Sequence, residues 1–170
     1  MTAGRTVNSL SKAWGTPQKY VDAVRQFFGE IDLDPCSNRF SIVGAKSECS
    51  LPDDGLSVTW SGRIYVNPPY GRDAERGTHI SDWLKRCSEA KAEVVALVPV
   101  ATNTGHWKKY IFGKASAVCF LADTRLKFLI DGRDEGKGAP MACAMVYWGT
   151  NSEQFKQVFS QHGEVWQLGL

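Results

Sequence analysis

Arg63-Ile64-Tyr65-Val66-Asn67-Pro68-Pro69-Tyr70 runs an apolar, strand-forming segment into a pair of prolines. Proline has no N–H to give to a ladder, so a strand over residues 63–66 must stop where Asn67-Pro68-Pro69 begins, and the turn hangs at the strand's carboxyl end. Beyond it, Ile80, Trp83, Leu84 and Cys87 recur at helical spacing, which predicts a helix over residues 80–90. Val94-Val95-Ala96-Leu97-Val98 follows as the unbroken apolar run of a parallel strand covered on both faces. Strand, helix and strand in that order predict a right-handed β-α-β unit.

Upstream, Thr16 sits where a helix N-cap belongs and Pro17 at the first helical position, with Tyr20, Val21, Val24, Phe27 and Phe28 as the buried face until Gly29. Ile31-Asp32-Leu33-Asp34 reads as the first strand, and a polar, irregular segment follows to Gly55. Downstream, the pattern predicts a helix over residues 106–112, strands over 117–121, 126–130 and 142–148, a helix over 153–159 and a short strand at Val165-Trp166. Gly132, Gly136 and Gly138 mark a loop between the strands at 126–130 and 142–148, so these two are expected to pair as an antiparallel hairpin at the sheet's edge. The fold class is α/β, a mostly parallel sheet with a C-terminal antiparallel hairpin, in one domain over residues 1–170 without a separate target-recognition domain.

At 170 residues and 43% hydrophobic the chain suits a single core, so whatever it recognises must be read by loops. No stretch approaches the ~20 apolar residues of a membrane span. The start Met1-Thr2-Ala3-Gly4-Arg5 also lacks the apolar core of a signal peptide, and a soluble protein of the cytoplasm is expected. The five cysteines are odd in number and never form CxxC, and His79, His106 and His162 lie far apart; reduced thiols and no metal site are expected. A net charge of +2 is weak evidence for a polyanionic partner, so any basic surface must be local. It lies late in the chain, where Lys108, Lys109, Lys114, Arg125, Lys127, Arg133 and Lys137 outnumber Asp123, Asp131, Asp134 and Glu135.

In open α/β sheets ligands bind beyond the carboxyl ends of the strands, so Asp34-Pro35-Cys36 and Asn67-Pro68-Pro69-Tyr70 should face one cleft. The second segment suits one kind of chemistry. An exocyclic amine such as that of adenine is a poor nucleophile, because its lone pair is delocalised into the ring. The Asn67 side-chain oxygen and the Pro68 carbonyl can accept both amine hydrogens, draw the nitrogen toward tetrahedral geometry and aim its lone pair. The prolines stiffen the turn, and Tyr70 offers a face on which an extruded base can stack for ~1–3 kcal/mol. The plainer alternative is an Asn-Pro turn closing a strand, with Tyr70 merely packed.

Asn67-Pro68-Pro69-Tyr70 matches the [Asn/Asp/Ser]-Pro-Pro-[Tyr/Phe/Trp] signature of the amino-methyltransferases. Together with Trp14-Gly15-Thr16-Pro17, Asp32-Leu33-Asp34-Pro35-Cys36, Asp53-Asp54-Gly55-Leu56, Leu97-Val98-Pro99-Val100 and Arg125-Leu126-Lys127-Phe128, it makes nearly the whole chain resemble the phage-encoded DNA N6-adenine methyltransferases (Dam-like). The resemblance implies a Rossmann-like fold, S-adenosylmethionine as methyl donor, adenine in DNA as acceptor and, for a phage enzyme, the cytoplasm of a bacterial host. It also implies that Asn67, Pro68, Pro69 and Tyr70 are catalytic and that Trp14, Thr16, Pro17, Asp34, Pro35, Cys36 and Asp54 form the donor site.

Physically, a helix N-terminus at Thr16 suits the donor's carboxylate, or Thr16 is only a cap. Trp14 packs on the donor or on the core. The Asp34 carboxylate suits the donor's ammonium. Asp54 suits the donor's adenine amine, or an ordinary turn with Asp53 and Gly55. The chain departs from the glycine-rich first loop of many methyltransferases: Asp34-Pro35-Cys36-Ser37-Asn38 has no glycine until Gly44, which leaves the donor's perch open.

An adenine amine inside a duplex is out of reach, so the base must be flipped or the substrate single-stranded, at a cost of a few kcal/mol. Arg72, Arg76, Arg125, Lys127, Phe128 and Arg133 are candidate DNA contacts, although each alone reads more readily as solvated surface. With so little chain for recognition, the target should be short or lax unless a second subunit, as in a homodimer, adds contacts. The same tetrapeptide also serves methyltransferases of RNA adenine, cytosine N4 and protein glutamine. A non-catalytic DNA-binding module that keeps the fold is the alternative of a different class.

Overall fold

The computed structural model describes residues 14–123, 126–134, 136 and 138–169. In chain order the elements are β1 (Trp14–Gly15), α1 (Gln18–Phe28), β2 (Leu33–Asp34), β3 (Ser47–Glu48), β4 (Arg63–Val66), β5 (Arg72–Asp73), β6 (Thr78–His79) and α2 (Ile80–Glu89). Then come β7 (Glu93–Pro99), α3 (Gly105–Tyr110), β8 (Ala117–Leu121), β9 (Leu129–Ile130), β10 (Arg133–Asp134), β11 (Cys143–Trp148), α4 (Ser152–Phe159) and β12 (Gly163–Gln167).

Seven strands form the main sheet in the order β12-β8-β11-β7-β4-β2-β3. β3, β2, β4 and β7 are joined by parallel pairings, whereas β11 is antiparallel to both β7 and β8, and β12 is antiparallel to β8. The pairings are thus evenly divided, yet β8 keeps the direction of β7 because β11 is wedged between them reversed. The central strands are apolar on both faces, with Val94, Val95, Ala96, Leu97 and Val98 of β7 and every residue of β11 buried. Such strands need cover on both sides. Two helix pairs, α1 with α4 and α2 with α3, supply it. On α1 the buried residues are Tyr20, Val21, Ala23, Val24 and Phe28, and Gly29 ends the helix at φ 80°.

The C-terminal part corrects the sequence expectation. Residues 126–130 and 142–148 do not pair with each other. Leu129–Ile130 instead joins a small separate sheet, β1-β9-β10, with Trp14 opposite Ile130 and Arg133 also opposite Ile130. The hairpin between β9 and β10 turns on Asp131 (φ 50°) and Gly132 (φ 78°), the two positive-φ residues that a type I′ turn requires. Cys143–Trp148, freed from that pairing, enters the middle of the main sheet. The first strand is also shorter than expected, Leu33–Asp34 only.

The switch in strand order falls between β2 and β4. From β2 the chain moves outward to β3, and from β4 it moves the other way to β7. A crevice opens beyond the carboxyl ends of strands at such a point. Here those ends are Asp34 and Val66, each followed directly by one of the two segments singled out from sequence.

Candidate active site

The crevice is lined by residues 36–38 after β2 and 67–70 after β4, with Trp14 and Arg76 at its sides. Asn67 is half-buried, and its amide nitrogen donates to the Trp14 carbonyl at 3.3 Å and to Thr16 Oγ1 at 3.4 Å. With the nitrogen so engaged, the carbonyl oxygen is the end left to accept hydrogens from a ligand. Tyr70 is buried; its hydroxyl donates to the Leu97 carbonyl at 3.1 Å, tying the turn to the neighbouring strand β7. Its ring stands edge-on to Trp14 (centroids 6.4 Å apart) and to Phe128 (5.8 Å), and Phe128 stacks on Trp14 at 4.9 Å. Burial holds the Tyr70 phenol well above its usual range, so it stays neutral.

Thr16 does not cap α1. The helix begins at Gln18, and the Thr16 hydroxyl turns inward to Tyr65 Oη at 2.5 Å; Pro17 occupies the cap position, and its carbonyl accepts from the amides of Tyr20 and Val21. Trp14 both packs against Phe128 and lines the cleft.

Asp34 is buried beneath the cleft, and burial pushes its carboxyl up to about 7 even though the Cys36 amide donates to it at 3.1 Å. Burial likewise pushes the Cys36 thiol up to about 12, so no thiolate is offered there. Ser37 lines the cleft, and its buried Oγ lies beside the Asp34 carboxyl, where it favours the ionised form without reaching ordinary hydrogen-bond geometry. Asp54 adopts the turn role: its exposed carboxylate accepts from the Leu56 amide at 3.0 Å and the Ser57 hydroxyl at 2.5 Å. Gly55 beside it is required for contact, because a Cβ there would collide with the Pro35 carbonyl oxygen. This contact brings the 53–56 turn against the segment that follows β2.

Among the expected DNA contacts, Arg72, Lys127 and Arg133 are exposed, and Arg125 lies outside the described residues. Phe128 is a correction: it is only 4% exposed and belongs to the aromatic wall behind Tyr70, not to the outer surface. Arg76 reaches the cleft but is engaged, its Nη1 2.9 Å from Asp73 Oδ2 with side chains 11% and 1% exposed. Burial would raise the Asp73 carboxyl, but the Arg76 side chain and amide outweigh it and hold the carboxyl below its ordinary range. Removing one partner of such a pair strands the other. Asp73→Ala is expected to lower stability by roughly 3 kcal/mol, read from urea unfolding; an unchanged midpoint would contradict the pairing.

Sequence reasoning had not singled out Ser37 beside Asp34, Tyr65 beneath Thr16, or the Trp14 carbonyl on Asn67. Among the described residues no group of three or more His, Cys, Asp or Glu side chains is arranged to hold a metal, and no helix is long and apolar enough to cross a membrane. Residues 3–164 match the family model described as DNA N-6-adenine-methyltransferase (Dam). No curated protein matches the chain.

Proposed function

The chain belongs to the DNA N-6-adenine-methyltransferase (Dam) family, and from that premise we propose that it uses S-adenosylmethionine to methylate the N6 amine of an adenine extruded into the cleft between β2 and β4. The observation that carries this reading is Asn67, held by its nitrogen at the crevice with its carbonyl oxygen uncommitted among the described residues. That oxygen and the Pro68 carbonyl accept the two amine hydrogens, while the Tyr70 ring gives the base its stacking face. The fold reading is Rossmann-like, a single domain without a separate recognition unit. It is supported by the switch point and by β11 lying reversed between β7 and β8.

The residues after β2 fit the donor. The Ser37 hydroxyl and the buried Asp34 carboxyl beside it are a hydrogen-bonding group and an ionisable acid suited to its amino-acid end. When bound, the donor supplies an electrophilic methyl on a sulfonium. Asp34 meets the ammonium, the 53–56 turn closes on Pro35, and the aromatic wall of Trp14, Phe128 and Tyr70 keeps water from the base. Exposed Arg72, Lys127 and Arg133 are the proposed phosphate contacts, with Arg76 at the cleft wall.

The state of Asp34 makes a pH prediction. The carboxyl's pKa is raised on folding from 3.8 to about 7, so across that interval the folded chain holds a proton that the unfolded chain releases. Its contribution is full below 3.8 and is lost as pH rises through about 7, a change on the order of a few kcal/mol. Asp34→Asn is expected to flatten this part of the stability profile and to weaken donor binding by at least about tenfold. Urea unfolding at pH 5 and 8, with donor titration calorimetry, checks both; equal donor affinity in the variant would remove Asp34 from the site.

The functional reading is tested by incubating the protein with tritium-labelled donor and DNA, RNA or protein, then analysing the labelled nucleosides. N6-methyladenine from DNA supports it. Label in RNA, at cytosine N4 or in glutamine reassigns the substrate, and no transfer to any acceptor overturns the reading.

A further inference from the structure

An asparagine amide can face either way, since its oxygen and nitrogen ends have nearly the same shape; which end meets the cleft depends on what surrounds the other. Around Asn67 the surroundings are acceptors. The Trp14 backbone carbonyl, 3.3 Å from Nδ2, can only accept, and the amide oxygen in its place would set two lone-pair carriers against each other. The second N–H points at Thr16 Oγ1, 3.4 Å away. A threonine hydroxyl alone could donate or accept, but Thr16 is 2.5 Å from Tyr65 Oη. Tyr65 is buried, and burial raises its phenol far above its usual range, so it keeps its proton. Among the described residues its hydroxyl has Thr16 as its hydrogen-bond partner. With its single proton given to the Tyr65 oxygen, the Thr16 hydroxyl presents only lone pairs to Asn67.

We propose that Thr16 and Tyr65, with the Trp14 carbonyl, are positioning elements that lock the Asn67 amide with its oxygen toward the target amine. The inference rests on the methyl-transfer reading above and deepens it. Thr16 and Tyr65 are buried and lie outside the residues that line the cleft, so they act through Asn67. β4 carries both Tyr65 and Asn67, and the chain crosses from β1 to α1 through Thr16, so the lock joins the catalytic turn to the N-terminal segment.

A lost lock lowers the share of correctly turned amide and thus kcat, without altering the surfaces that hold donor and DNA. Thr16→Val, nearly isosteric, is expected to lower kcat by about 5- to 30-fold, the equivalent of one or two net hydrogen bonds, with KM for both substrates within about twofold. Thr16→Ser restores the hydroxyl and is expected to recover most of the rate, and Tyr65→Phe to fall between. Donor titration confirms that each variant is folded. An independent readout is the Asn67 side-chain NH2 by nitrogen-15 NMR: its protons are expected to exchange slowly with solvent in the parent and faster in Thr16→Val. An active parent matched in kcat by Thr16→Val, or a Thr16→Ser as slow as Thr16→Val, overturns the inference alone. Equal NH2 exchange in parent and Thr16→Val also overturns it, whereas a parent that transfers no methyl overturns the functional reading and this inference with it.

Discussion

Asn67→Ala is expected to slow methyl transfer by ~10²–10³-fold, the loss seen when one preorganised polar group is taken from a reaction centre, while donor affinity stays near that of the parent. The substitution deletes the oxygen that would accept an amine hydrogen. It also strips donors from the Trp14 carbonyl and the Thr16 hydroxyl, which adds a stability cost of about 1–3 kcal/mol. The proposed donor groups, Asp34 and Ser37, lie at the end of β2 rather than of β4, so their contacts survive. Single-turnover rates with saturating donor, beside donor calorimetry, separate the two effects. A variant as fast as the parent would end the proposed mechanism.

Tyr70→Ala ranks second in expected effect, for two reasons that can be told apart. The ring is 6% exposed and stands edge-on to Trp14 and Phe128, so truncation opens a cavity behind the turn and costs roughly 3–5 kcal/mol of stability. The same truncation removes the stacking face for the base, and the rate should fall by at least about tenfold even in molecules that remain folded, since such a face is worth ~1–3 kcal/mol. Tyr70→Phe keeps the ring and loses only the bond to the Leu97 carbonyl, about 1 kcal/mol, so it should stay active. Thermal unfolding reports the first effect and rates measured well below the transition report the second. Tyr70→Phe as inactive as Tyr70→Ala would shift the role from the ring to the hydroxyl.

Local patterns carried the elements that bury a face. Arg63–Val66 and Glu93–Pro99 are strands and Ile80–Glu89 is a helix where their periodicity required it, because burial imposes that periodicity. The C-terminal hairpin was misread for a physical reason. Leu126 and Phe128 turn inward and Lys127 outward, the alternation of a strand, but Phe128 packs on Trp14 and Tyr70 and Leu126 joins the core, and neither enters a ladder. The signal for the true turn was present in Asp131-Gly132, a two-residue hairpin pair. Its outer partner, Trp14–Gly15, lies more than a hundred residues away, and no local pattern announces such a pairing. At the site, Asn67 and Tyr70 stood out because the tetrapeptide is contiguous. The Trp14 carbonyl did not, since every residue carries a backbone carbonyl, and Tyr65 looked like any core residue of its strand.

The reversed strand β11 also bears on how the chain is made. It occupies the middle of the main sheet and pairs with both β7 and β8, although nearly all the rest of the chain precedes it. Until residues 143–148 leave the ribosome, β7 and β8 each present an apolar strand with an unpaired edge, a form prone to stray pairing with other chains. The nascent protein must therefore wait, half assembled and adhesive, for its keystone. A premature stop just before Cys143 should yield an insoluble product, even though every residue of the cleft has by then been synthesised.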